Sequence, residues 1–201
     1  MNAFQRLRSS AFSLIEMLIV IALIAVLYVA LWSFGSRTHQ ETEKERCSDN
    51  LQKIFLAAQI YANDFGAFPW KTNAATSEPV LDLLVPRYTS DRSIFICPGG
   101  RDRAIPPGAS LSKCTISYAY YMGRGTNATP SDFLMSDRQI NTRSKNAGAQ
   151  VFSLTGRPPG NNHSKYGGNV LFCDGSVQTI PARTPFSLAF SNGIVLLNPK
   201  P

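Results

Sequence analysis

The sequence predicts an α+β protein: one long N-terminal helix, apolar in its first half, followed by a domain of short strands. Three observations carry that expectation. Residues 17–34 form an unbroken apolar run of eighteen residues whose one strongly polar member is Ser33. Apolar residues then recur at helical spacing over residues 51–65. Beyond Pro69, short β-rich runs alternate with turns rich in Gly, Pro and Asn, most clearly in GGNVLFCDGSVQTIP at 167–181. With 201 residues, 13 prolines and 14 glycines, the chain has room for one domain and an N-terminal segment.

The apolar run is long enough to cross a membrane. At about 1.5 Å per residue it covers about 27 Å, close to the roughly 30 Å of a hydrocarbon core. A cleaved secretory signal has a shorter apolar region, about 7–15 residues. Tyr28 and Trp32, near the far end, suit the interfacial zone. Arg6 and Arg8 precede the run, whereas beyond it Arg37, Lys44 and Arg46 alternate with Glu41, Glu43 and Glu45, which favours an internal N-terminus. One residue does not fit a plain anchor. Glu16 puts a carboxylate at the mouth of the run, where lipid insertion scales assign about 2.5–3.5 kcal/mol at the helix centre and less near an end. Either it snorkels to the headgroups or it has a partner.

The stretch Ala11-Phe12-Ser13-Leu14-Ile15-Glu16 resembles the processing site of type IV prepilins and type II secretion pseudopilins. In that pattern a short basic leader ends in a small residue, and Phe begins the mature chain with Glu as its fifth residue. Ala11 stands where Gly is usual; both are small enough for close approach of a peptidase. The resemblance implies a pilin-like α+β fold, cleavage between Ala11 and Phe12 by a prepilin peptidase, and N-methylation of Phe12. It divides the chain into a leader (1–11), a transmembrane helix (12–34), an amphipathic continuation (35–66) and an extracytoplasmic domain (67–201). It further implies a single-pass protein of the cytoplasmic membrane with its C-terminal domain periplasmic. Its partners would be membrane lipid, other pilin-like subunits and the inner-membrane assembly platform of a secretion or pilus machine. The role would be structural, not enzymatic. Cleavage creates a cationic α-amine, and Glu16 can pair with that of a neighbouring subunit and fix the axial stagger of a filament.

The continuing helix places Leu51, Ile54, Phe55, Ala58, Tyr61, Ala62 and Phe65 on one stripe. Its more polar first half, with Glu41, Glu43, Lys44, Glu45, Arg46, Asp49 and Lys53, is expected to be exposed, and the second half to pack on a sheet. Asp64, Gly66 and Pro69 end the helix, and YANDFGAFP (61–69) resembles a pseudopilin helix end. Further on, residues 81–88 suggest a brief helix or loop and 93–98 a strand or extended segment. Strands are expected at 114–123 and 132–137, residues 138–168 read as loop with at most a short strand at 149–154, and 190–199 suggests an edge strand or hairpin. Asp174-Gly175 reads as a two-residue turn, which pairs Phe172 with Val177 and Val170 with Thr179 and puts Val170, Phe172 and Val177 on one buried face.

Asn162 to Val177 resembles a C-terminal domain of prepilin-like proteins whose signature is His, nine residues, then Asp-Gly; here ten residues separate His163 from Asp174. With Asp137 these two make the one grouping suited to chemistry, a site for a structural divalent cation such as Ca²⁺. The competing reading is a turn aspartate, a loop-bonding histidine and a second turn aspartate. No other cofactor is implied. Four cysteines allow three connectivities. A Cys97–Cys114 bridge closes a Pro/Gly-rich 16-residue interval, a gain of about 3 kcal/mol in the chain-entropy model, and is the preferred pair. Cys47 then pairs with Cys173, or both stay free. The net charge of +7 is concentrated in 101–165, where nine Lys/Arg face three Asp. That makes a solvated basic surface or a site for nucleic acid or another polyanion.

Overall fold

The computed structural model describes residues 13–201, with the backbone alone for residues 32–37; Ala11, Phe12 and the Trp32 side chain lie outside the described residues. The chain divides into two compact units, Met1–His39 and Gln40–Pro201. Helix α1 runs from Leu14 to Phe65. In the first unit its stretch Leu14–Leu31 is long and apolar enough to cross a membrane, and none of it is buried against protein. Hydrocarbon is the solvent such a surface fits.

The second unit is built on a five-stranded antiparallel sheet: β1 (Tyr118–Met122), β2 (Phe133–Asp137), β3 (Gly168–Phe172), β4 (Val177–Ile180) and β5 (Val195–Leu197). The strand order is β4-β3-β2-β1-β5, so the segment at 190–199 supplies an edge strand beside β1. Side chains alternate across the sheet with period two. Tyr118, Tyr120, Met122, Met135, Leu171 and Leu197 face one core with the C-terminal part of α1. Ala119, Tyr121, Phe133, Val170, Phe172 and Leu196 face a second core covered by Val151, Phe152, Ala182 and Leu188. Both faces are buried, so β1, β2 and β3 have no exposed position. This is an α+β pilin-like fold.

On α1 the buried line is Cys47, Leu51, Ile54, Ala58 and Ala62, all fully buried. Steps of three and four residues keep these on one face. Phe55 and Tyr61 pack at its margin, and Phe65 is exposed. Burial begins earlier than the charge pattern suggests. Glu43 and Lys44, expected in solvent, are covered. The cause is β3, where the Asn169 side-chain amide donates to the Lys44 carbonyl at 2.9 Å and brings the strand over this turn. The charged heads pair along the helix instead, Lys44 with Glu41 and Arg46 with Glu43.

Residues 149–154 stay a loop, with an isolated bridge between Gln150 and Arg183. Two local expectations are corrected. Residues 93–95 form a 3-10 turn, with Ile96 extended behind it. The second concerns the hairpin register. Val177 pairs with Leu171 and Thr179 with Asn169, one residue away from the expected partners. The Phe172 amide bonds the Ser176 carbonyl at 2.9 Å, so the loop holds three residues, Cys173, Asp174 and Gly175, rather than two. A one-residue shift turns a strand over. Val177 therefore packs with the α1 core, away from Val170 and Phe172. The brief helix expected at 81–88 starts earlier, as a helical turn α2 (Glu78–Leu81) followed by a 3-10 turn (Asp82–Leu84).

Candidate functional site

Two groups of residues carry the chemistry, one in each unit. At the start of α1 the Ser13 amide donates to Glu16 Oε2 at 3.4 Å, with Ser13 immediately before the first helical residue. Ser13-Leu14-Ile15-Glu16 is thus half of a capping box, in which a Glu at the third helical position reaches back to the first free amide. The Ser-x-x-Glu spacing makes this contact legible in the sequence. The contact is long, leaving Glu16 acceptor capacity for a cation. The processing residues Ala11 and Phe12 lie outside the described residues.

The second group sits where α1 meets the sheet. Cys47 and Cys97 form a disulfide with a Cα–Cα separation of 5.3 Å, and Cys114 and Cys173 carry free thiols. Both expected pairs, Cys97–Cys114 and Cys47–Cys173, are therefore overturned. One turn beyond Cys47, Asn50 donates to the Ile96 carbonyl at 3.1 Å, which holds the chain beside the helix and presents Cys97 to Cys47. Cys114 instead lines a cavity of about 480 Å³ with Arg101, Asp102, Arg103 and Thr115. Cys173 lies in the hairpin loop, where burial pushes its thiol up to about 11.

Against the disulfide lie Asp137, the last residue of β2, and His163. His163 Nε2 is 3.2 Å from Asp137 Oδ2 and 3.4 Å from Cys97 Sγ. Both side chains are fully buried. The carboxylate is well supplied: the Asn169 amide donates to Oδ2 at 2.7 Å and the Asn162 side chain to Oδ1 at 3.0 Å. Among the described residues His163 Nδ1 has no hydrogen-bond partner, and it faces Gly99, where a Cβ would come within 2.6 Å of it. Gly99 is thus a matter of space: any side chain there would displace the imidazole. Tyr118 lies beside this group, and burial first, then the Asp137 charge, raises its phenol well above the ordinary value.

Of the three expected ion ligands, Asp137 and His163 come together and Asp174 does not. Asp174 is exposed in the hairpin loop and accepts from the Ser176 amide and hydroxyl at 2.8 and 2.6 Å. The Ser176 hydroxyl, with its amide, holds that carboxyl below its ordinary value. Gly175 has a φ of +84°, and a Cβ there would meet the Phe55 ring at 2.6 Å. Asp-Gly therefore shapes a turn that seats against α1. Cys47 and Cys97 replace Asp174 in the buried group, and no sequence spacing announced them.

Residues 6–31 match the family model described as the prokaryotic N-terminal methylation motif. That segment therefore carries the N-terminal methylation motif of prepilin-type proteins, and the helical stretch Leu14–Leu31 within it is long and apolar enough to cross a membrane. No curated protein and no solved structure gives a significant match.

Proposed function

We propose that this chain is a structural subunit of a short filament, of the type II secretion or type IV pilus kind, with no reaction of its own. Prepilin peptidase cuts between Ala11 and Phe12 on the cytoplasmic side and Phe12 is methylated. The Gln40–Pro201 unit then lies outside the cytoplasmic membrane. One observation carries the reading: Glu16, within the matched segment, follows the cleavage position by five residues and opens an otherwise uncharged span. In lipid its carboxylate is stabilised by the α-amine of a neighbouring subunit's Phe12, and each such pair resists axial slippage. The buried disulfide agrees with an oxidising compartment for the second unit.

Mass spectrometry of the membrane-extracted chain tests processing directly. The expected N-terminus is methylated Phe12; an intact Met1, or cleavage beyond Gly35, contradicts the reading. A second reading, polyanion binding, has one observation in its favour. Arg101, Arg103, Lys113, Arg143, Arg157 and Lys165 are exposed, whereas Arg124 and Arg138 are tied to Asp132 and Asp102, and Lys145 is buried. A steep loss of DNA affinity with added salt would support it, and no binding at low salt would remove it.

A further inference from the structure

The buried group in the second unit has a property that the filament reading neither needs nor explains. Cys47 Sγ, Cys97 Sγ, one oxygen of Asp137 and one ring nitrogen of His163 all lie within 4.8 Å of one another, and all four residues are buried. A disulfide alone requires neither the histidine nor the carboxylate. Tetrahedral coordination with bonds of about 2.0–2.3 Å sets donor atoms about 3.3–3.8 Å apart. The His163–Asp137 and His163–Cys97 separations, 3.2 and 3.4 Å, are already within a few tenths of that range. The two sulfurs must part, by side-chain rotation, once their bond is reduced, and the remaining donor pairs, all within 4.8 Å, need to close by no more than about 1 Å.

We propose that Cys47, Cys97, Asp137 and His163 form a redox-gated zinc site: a disulfide when oxidised, a closed four-ligand Zn²⁺ centre when reduced. Two thiolates with imidazole and a carboxylate, enclosed on all sides, are the donor set of a structural zinc. The cage and ion together carry one net negative charge, as in the common three-cysteine, one-histidine site. A supporting shell is in place, since Asn162 and the Asn169 amide orient the carboxylate. The gating step balances. A dithiol passes two electrons and two protons to the Cys47–Cys97 bond and closes to its own disulfide. Zn²⁺ then displaces the two thiol protons to solvent. The same three elements, α1, the segment around Cys97 and the end of β2, are stapled in either state. This assignment is independent of the filament reading, because it concerns the Gln40–Pro201 unit alone.

The test uses the full chain in detergent micelles, with Cys114→Ser and Cys173→Ser to remove the other thiols. Reduction is by a phosphine, which takes oxygen from water as the disulfide becomes two thiols. Co²⁺ reports geometry optically, and Zn²⁺ affinity follows from competition with a chromophoric chelator. The reduced chain is expected to bind one ion with the intense visible bands and thiolate charge-transfer band of a tetrahedral sulfur-containing site, and the oxidised chain none. His163→Ala should weaken binding more than about a hundredfold, and the supporting change Asn162→Ala by about 10–100-fold. X-ray absorption of the zinc form should count two sulfur and two lighter neighbours, a readout that survives if a ligand variant fails to fold. The proposal is overturned if the reduced chain binds no ion, if the oxidised chain binds equally, or if His163→Ala leaves affinity unchanged. It is equally overturned if reduction abolishes the near-ultraviolet circular dichroism and Zn²⁺ does not restore it.

Discussion

The two halves of helix α1 share a backbone conformation and differ in what surrounds them. Between Leu14 and Leu31 large apolar side chains are exposed throughout, for example Leu14 at 83% and Val29 at 69%. Between Cys47 and Ala62 one face is fully buried and the opposite face, with Leu56 and Ile60, is open. A helix apolar all round needs an apolar solvent, whereas a helix apolar on one stripe needs a protein surface. The same residue types therefore do different work in the two segments. Glu16 is costly in the first, yet Glu43 and Lys44 are covered in the second with ion pairs along the helix.

Substitutions should separate the two halves cleanly. The largest expected effect on the second unit is loss of its staple. Cys47→Ser with Cys97→Ser opens a link across 50 residues, which the chain-entropy model values at about 4 kcal/mol, measured by chemical denaturation of the oxidised proteins. Next, Ile54→Ala should cost about 2–5 kcal/mol, while Ile19→Ala in the first half should leave the unfolding of the Gln40–Pro201 unit unchanged. Equal effects would show that the contrast drawn here is false.

A smaller effect concerns Lys145, buried with its ammonium donating to Gln139 Oε1 and the carbonyls of Asn141 and Arg143. Desolvation lowers its pKa from 10.5 to about 8. Between these values the unfolded chain holds a proton that the folded chain has released, so stability rises with pH across that window; below about 8 both states are protonated and the penalty is complete. Lys145→Met lacks that rise, so wild-type stability measured relative to the variant should increase from pH 8 to 10 in denaturation curves. A constant gap would contradict the assignment. Smallest of all, Leu56→Ser on the open face should change stability by no more than about 0.5 kcal/mol.

Much of this was legible in the sequence where the signal is local. The unbroken run at 17–34 and the stripe through Leu51, Ile54 and Ala58 depend only on composition and period. The turn at Asp174-Gly175 was located but mis-sized, because Asp-Gly serves both two-residue and three-residue loops, and only the Phe172–Ser176 pairing decides between them. That single residue reversed the face of Val177. The cysteine pairing was out of reach for a different reason. Loop length favours Cys97–Cys114, but the deciding contact is Asn50 to the Ile96 carbonyl, a link across 46 residues with no sequence signature. Asp137 and His163 are grouped in the sequence with Asp174 as candidate ion ligands, and the structure brings only the first two together. Their real neighbours are the two cysteines, which only the docking of α1 against the sheet brings near.

The central claim is that an intersubunit pair holds Glu16, and Glu16→Gln tests it most directly. The variant keeps shape and hydrogen-bonding capacity but cannot carry the charge. Losing one member of a buried pair costs about 3–5 kcal/mol, a hundredfold or more per subunit contact. Cross-linking or electron microscopy of assembling cells should find filaments abolished, while the variant is still inserted and retains a methylated Phe12. Filaments as abundant as those of the wild type would contradict the account.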